Sequence, residues 1–334
     1  MRVAMVNRQD VNRVPAGDAT QMYQLGMRLE QCGVKISYLT LDRLPGVPEF
    51  DILHVFNRLV LQRLAQSQSS ELTDVPVVVT SNFWFQTGSW FFRSAREQRK
   101  WRVLARALGH PLAQQLYVSW QFLKWRHSRS PSELAEAMER CDLVITNSQT
   151  EISYLRRILG LDVNFAVVPV GIDHKSYVQL PEPSQVFYDR YRLKDFVLQV
   201  GRIQPNKNQL ALIEALFNTS DPIVFVGKPS PYHEDYLRAC HKRAEERGNV
   251  LFTGFWPSED LPRVYALADT HVLPSWSELP GIVSLEAAAA GCKVVSTNRG
   301  CAREYLGQAA TYCEPACLRS IRQSVLSTRN SPRP

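Results

Sequence analysis

Two glutamates eight positions apart, Glu278 and Glu286, stand in the stretch SELPGIVSLEAAAAG, with a Pro-Gly turn and the start of a helix between them. At such a helix start the backbone N–H groups of Gly281, Ile282 and Val283 have no intrahelical acceptor, so they suit an anion such as a diphosphate. A carboxylate repels that anion, so Glu278 is expected to address a neutral group beyond it, a sugar. Glu286 falls about 6–8 Å along the helix at about 1.5 Å per residue. That is the step from a diphosphate to a ribose, whose two hydroxyls one carboxylate accepts together. The spacing fits a nucleotide-sugar. Taken alone, two glutamates at such a spacing arise often by chance, and a capping or solvated role is the ordinary reading.

A second stretch, LQVGRIQPNKNQLALIEAL, carries Arg202 and Lys207 between an apolar run and a helix beginning near Asn208. Two cations at the carboxyl end of a strand would neutralise a diphosphate and stabilise it as a leaving group. Without the glutamates they would read as a helix-flanking lysine and a salt-bridged arginine.

The elements that must position these residues follow from apolar runs rich in Val and Ile. In the first half these are RVAMV, VKISYLT, DILHVF, VPVVVT, DLVITN and FAVVPV; in the second, FVLQVG, PIVFVG, VLFTGF, THVLPS, KVVST and ATYC. Continuous rather than alternating runs suit strands covered on both faces, and helical patterns between them predict parallel βα units. The α/β chain is therefore expected to form two doubly wound, Rossmann-like domains, residues 1–178 and 196–334. The Pro-containing, polar segment 179–195 is expected to be the linker. In such sheets ligands bind beyond the carboxyl ends of the strands, so the site is expected in a cleft between the domains.

At 334 residues the chain is long enough for two cores, and 45% hydrophobic residues with 21% charged read as globular. No run of 18 apolar residues occurs, and Asn7 and Arg8 break the first apolar run, so neither a membrane span nor a signal peptide is expected. Seven scattered cysteines point to reduced thiols in a cytoplasm, and Cys313 with Cys317 lacks a second pair at zinc spacing. No Asp-x-Asp, GxGxxG, GxxxxGK[ST] or HExxH pattern is present, so no metal and no cofactor is expected.

The net charge of +7 is a local feature. Residues 91–130 hold nine Lys/Arg against Glu97 alone, which leaves 30 basic and 31 acidic groups in the rest. Five of the seven tryptophans fall within residues 84–125. Trp101, Leu104 and Leu108, and Leu112, Leu116, Trp120 and Leu123, recur at helical spacing and are expected in a core. The basic residues around them suit a solvated face, an acceptor site, or peripheral contact with an anionic membrane through residues 91–130. No nucleic-acid partner is expected.

The segments VGRIQPNKN, VVPVGID and FTGFWPSEDLPRVYALADTHVLPSWSELPGIVSLEAAAAGCKVVSTNRGCAREYLG together resemble the retaining glycosyltransferases of family 4. VPAGDATQMYQLGMRLEQCGVKISY is similar to that family's glycine loop and first helix. The resemblance implies the GT-B fold and the Glu-x7-Glu signature. By it, Arg202 and Lys207 bind the donor diphosphate, Glu278 the transferred sugar and Glu286 the ribose. Gly281, Ile282 and Val283 give backbone contacts, and Gly17 lets the first loop approach the diphosphate. The donor would be a UDP-, GDP- or ADP-sugar. The acceptor would be a glycan, lipid-linked or small molecule held by the first domain, and transfer would need no metal. Departures are an Ala-Gly pair where two glycines are common, and a short tail after Gly307 where a helix usually crosses back to the first domain. The family's cleft histidine has one candidate position, His54. The competing expectations are an epimerase or hydrolase of the same fold acting on nucleotide-sugars, and a polyanion-binding protein without turnover.

Overall fold

The computed structural model describes residues 1–9, 11, 17–46, 50–66, 75–85, 103–104, 107–108, 110–173, 177 and 184–333. Two compact units divide the chain: Met1–Trp84 with Lys124–Val170, and Phe85–Leu123 with Gly171–Pro334. All twelve apolar runs form strands.

The first unit holds β1 (Arg2–Asn7), β2 (Lys35–Thr40), β3 (Ile52–Val55), β4 (Val77–Thr80), β5 (Leu143–Thr146) and β6 (Phe165–Val167). They make one sheet in the order β2-β1-β3-β4-β5-β6, parallel throughout. The chain leaves β1 toward one side for β2, then returns to place β3 on the other. The strand order therefore reverses between β1 and β3, where loops diverge and open a crevice at the carboxyl edge.

The second unit repeats the plan with β7 (Phe196–Val200), β8 (Ile223–Val226), β9 (Val250–Gly254), β10 (Ala268–Leu273), β11 (Lys293–Thr297) and β12 (Ala310–Cys313). Their order, β12-β11-β10-β7-β8-β9, is again parallel and reverses between β7 and β10. Every residue of β7 and β8 is buried, as a continuous apolar run requires when helices cover both faces. Alternate residues serve opposite cores. Phe196, Leu198 and Val224 pack with Phe187, Tyr265 and Leu306, while Val197, Ile223 and Phe225 pack with Leu212, Ile213 and Ile321. Each such side chain contributes about 1.5–3 kcal/mol on full burial.

Of the segment expected as linker, 184–195 is described. Ser184 caps the helix Gln185–Tyr191 by accepting from the Phe187 N–H, and Phe187 is wholly buried against Phe196 and Trp256. Within the short tail after Gly307, the helix Leu318–Arg329 lays Ile321 and Val325 into the second unit's core. Arg329 bridges Asp221 and Asp269, each at 3.2 Å, and so fixes that helix to its own sheet.

The leucine stripe differs from expectation. On the helix His110–Arg126 the inward residues are Ala113 and Tyr117, with Trp120 and Leu104 packed against them. Leu108, Leu116 and Leu123 are exposed. Ala113 and Tyr117 stand four apart on one face. Leu116 and Leu123 stand seven apart on a neighbouring face, and a spacing pattern does not say which of two faces is covered. Trp101 and the arginines from 93 to 106 lie outside the described residues.

Candidate functional site

The reversal between β7 and β10 brings the key side chains together. Gln199, in β7, donates from Nε2 to the carbonyl of Lys207 at 2.6 Å, which holds the turn Pro205–Lys207 over the strand end. Asn208 adopts a left-handed conformation (φ +60°), which Asn tolerates better than most residues. Its Nδ2 donates to the carbonyls of Pro274 and Pro315 at 3.0 and 2.9 Å. The Trp276 N–H donates to the Asn206 carbonyl at 2.9 Å, so the loop after β7 is fastened to the loop after β10.

On this frame Lys207 Nζ lies 2.7 Å from Glu278 Oε1. Glu278 is almost wholly buried, and its backbone is pinned by the Arg299 carbonyl and the Cys301 N–H. Gly300, at φ +97°, makes this possible, because a Cβ there would collide with the Glu278 carbonyl. Gly281, at φ +86°, packs against the Glu278 side chain and caps the helix Ile282–Ala289. The Gly281 carbonyl accepts from Ser284 and Leu285, which leaves the Ile282 and Val283 N–H groups at the helix start without intrahelical acceptors. The helix closes at Ala290 with Gly291 left-handed behind it.

Lys207, Glu278 and Gly281 are thus in direct contact, with Ile282 and Val283 next along the helix. Arg202 lies on the same edge, half-buried on the loop directly after β7, its carbonyl accepting from Gln209 Nε2 at 3.0 Å. Asn206, Ser275, Trp276 and Ser277 carry buried polar side-chain atoms on these two loops without a protein partner. An edge that meets so few of its own polar groups suits a polar ligand.

Glu286 lies further along the helix, and Tyr265 donates its hydroxyl to Oε2 at 3.2 Å. Burial raises the Glu286 pKa, opposed by the Tyr265 hydrogen bond. Burial, and then the nearby Glu286 carboxylate, raise the Tyr177 and Tyr265 hydroxyls well above the ordinary phenol range, so both tyrosines stay protonated. His271, fully buried in β10, is pushed down to about 3, first by burial and then by the charge of Lys207. It remains a neutral imidazole whose Nε2 accepts from the Val200 N–H at 3.4 Å. Sequence reasoning missed Tyr265, Tyr177 and His271. Tyr265 and His271 do interrupt otherwise apolar runs in VYALADTHVL, the one signal available.

Two candidates fall in the first unit. Gly17 opens the helix Gly17–Gln31, and among the described residues a Cβ there would meet nothing within 4 Å beyond its own helix and chain neighbours. His54 sits inside β3, buried, with Nε2 2.8 Å from Thr80 Oγ1 of the adjacent strand. Burial pushes its pKa down to about 4. This histidine joins two core strands. Cys317 is a helix cap, its Sγ accepting from the Ser320 N–H at 3.4 Å, and among the described residues no cluster of His, Cys, Asp or Glu suits a metal.

Residues 188–317 match the family model for glycosyl transferases group 1, and residues 35–176 match that for Glycosyltransferase Family 4. The O-antigen chain mannosyltransferase B of Escherichia coli is 26% identical over 204 residues, covering 58% of this chain and 53% of that protein. A GDP-mannose-dependent α-(1-6)-phosphatidylinositol monomannoside mannosyltransferase of Mycobacterium tuberculosis is 29% identical over 221 residues, covering 61% and 53%. The chain spans about half the length of these curated relatives. Among solved structures, sucrose-phosphate synthase from Thermosynechococcus elongatus superposes with TM-score 0.70 at 16% identity, covering 98% of this chain and 89% of that one. Anabaena HepE, solved in complex with UDP and glucose, superposes with TM-score 0.67 at 18% identity, covering 99% and 90%. The two parallel six-stranded sheets and these neighbours make the fold GT-B.

Proposed function

The chain belongs to the glycosyltransferases that these two models describe, group 1 and Family 4, and from that premise we propose that it moves a sugar from a nucleoside-diphosphate sugar to an acceptor hydroxyl with retention at the anomeric carbon. The observation that carries the reading is the Lys207–Glu278 contact beneath a helix start, at the point where the strand order reverses.

An ammonium has three donors, so Lys207 keeps one on Glu278 and turns the others to the diphosphate. Arg202 and the N–H groups of Ile282 and Val283 add to the positive field. The bond from the anomeric carbon to the phosphate oxygen breaks with its electron pair going to the diphosphate. The acceptor oxygen bonds to the same face, and its proton passes to the departing phosphate oxygen. Glu278 holds the sugar hydroxyls, and Glu286 accepts from the ribose with the oxygen that Tyr265 leaves open. Because protein cations meet the phosphate charge, the transfer is proposed to need no metal. These groups stabilise charge where it develops, worth about 100-fold in rate or more for each contact.

The mannosyltransferase relatives favour a hexose donor, and the Mycobacterium relative acts on a phosphatidylinositol mannoside, as its name states. The acceptor is proposed to be a glycan or glycolipid held by the first unit. Among the described residues no helix is long and apolar enough to cross a membrane. Leu116 and Leu123, exposed on the helix that also carries Lys124 and Arg126, support peripheral contact with an anionic lipid surface.

Thermal shift with UDP-, GDP- and ADP-sugars tests the reading, since a ligand at 100 times its Kd adds about 2.7 kcal/mol. One nucleotide family should stabilise the chain, and the product formed on an added acceptor should keep the donor's anomeric configuration. Free sugar released at the same rate without an acceptor would mark a hydrolase instead.

A further inference from the structure

The carboxyl edge of the first sheet carries a built polar site that the transfer chemistry above does not use. Gln21 Nε2 donates to Asn147 Oδ1 at 2.9 Å, Asn147 Nδ2 to Asn82 Oδ1 at 2.6 Å, and Asn82 Nδ2 back to Gln21 Oε1 at 2.8 Å. Three primary amides from the helix after β1, the loop after β4 and the loop after β5 therefore close a head-to-tail ring.

Beneath the ring lies Glu151, a carboxylate with no exposed surface. Its Oε1 accepts from Ser81 Oγ at 2.5 Å and from the Phe83 N–H at 2.8 Å, and its Oε2 accepts from the Asn147 N–H at 3.0 Å. These bonds flank Asn82 on both sides and hold it at φ +42°, a left-handed conformation that Asn tolerates better than most residues. A wholly buried carboxyl group thus fixes the orientation of one amide. Binding groups are held in productive geometry by such buried supporting hydrogen bonds.

The chemistry of the site selects its ligand. A primary amide has two N–H donors and two lone pairs, so after closing the ring Gln21 and Asn82, both half-buried, can each still donate and accept. Beside them Asp18 accepts from Arg8 Nε at 3.4 Å and from Asn57 Nδ2 at 3.2 Å, so its charge is paired. A neutral surface of alternating donors and acceptors matches hydroxyl groups, which are both at once. It does not match a phosphate or a cation, which would call for an excess of one sign.

We propose that the Gln21–Asn147–Asn82 ring is a binding site for the hydroxyls of a carbohydrate, set in place by Glu151 as its positioning residue. Identifying that carbohydrate with the acceptor rests on the glycosyl-transfer reading.

The test follows the side-chain amide resonances of ¹⁵N-labelled protein during titration with methyl α-D-mannopyranoside. Saturable shifts of the Gln21, Asn82 and Asn147 amides are expected. Gln21→Ala, a helix-favouring change on a half-buried position, should weaken the binding at least about fivefold, the scale of one or two hydrogen bonds. Glu151→Gln should weaken it similarly with Gln21 itself intact, which separates positioning from contact; circular dichroism and the melting temperature report whether each variant remains folded. No shift of these amides, or shifts undiminished in a folded Gln21→Ala, would overturn the site. Neither result bears on donor binding in the second unit. Absence of nucleotide binding there would overturn the transfer reading while leaving the sugar-induced shifts in place.

Discussion

Lys207 and Glu278 stand 71 residues apart in sequence and 2.7 Å apart in space, each on the loop that leaves one of the two strands flanking the reversal of the second sheet. Glu278 is the more buried partner, with 7% of its side chain exposed against 20% for Lys207. Removing the lysine therefore strands a carboxylate that water hardly reaches, whereas removing both partners leaves no uncompensated charge.

Lys207→Ala is expected to cost stability of about 3 kcal/mol. The Lys207→Ala/Glu278→Ala double variant should cost less than the sum of the single changes, by about 1–3 kcal/mol. Urea unfolding of the four proteins measures this coupling; strict additivity would show that the contact carries no energy. Turnover with the donor found by screening should fall at least about 100-fold in each single variant.

Glu286→Gln should weaken binding of the nucleoside diphosphate by about 1.5–3 kcal/mol, because a charged acceptor is lost. Burial raises the Glu286 pKa and the Tyr265 hydrogen bond opposes that rise. Nucleotide affinity should therefore increase with pH through the raised carboxyl pKa, and Tyr265→Phe should move that midpoint upward. Isothermal titration across pH, with the parent and both variants, checks the order. A midpoint unmoved in Tyr265→Phe would detach the tyrosine from this carboxylate.

His54 is held near pH 4 in the fold against 6.5 in the unfolded chain. Its folded pKa is depressed, so between those values the unfolded state binds the extra proton and stability is lost as pH falls. From pH 7 to pH 5 the loss attributable to this residue is about 2 kcal/mol. His54→Gln should flatten that part of the pH dependence in urea unfolding. An identical pH slope in the variant would show that the imidazole protonates within the fold.

The exposed Leu116 and Leu123 lie close in sequence to Lys124 and Arg126 on one helix. Each cation near an anionic bilayer is worth about 1 kcal/mol, screened by salt within about 8–10 Å. Co-sedimentation with phosphatidylserine-containing vesicles should exceed that with phosphatidylcholine alone. It should fall in high salt and in the Leu116→Gln/Leu123→Gln variant. Equal partitioning with both vesicle types would leave this face to water.

Strand content, strand direction and the helix start behind the Pro-Gly turn were legible in the chain itself. A Val-rich run between helical patterns has few ways to be buried other than as a parallel strand, and a Pro-Gly turn before Ile282 sets a helix start whatever surrounds it. Those are local consequences of burial and backbone geometry. What faces a given side chain is not local. The spacing of Leu116 and Leu123 marked an apolar face, but the partner of the helix chose the face of Ala113 and Tyr117 instead. Tyr265 reaches Glu286 across 21 residues, and Gln21 reaches Asn147 across 126. Such pairs exist only once the order of strands in each sheet is decided, because that order alone determines which loops share an edge. Glu151 was unremarkable as a helical glutamate, and only the sheet, by placing the loops after β4 and β5 around it, made it the buried support beneath a ring of amides.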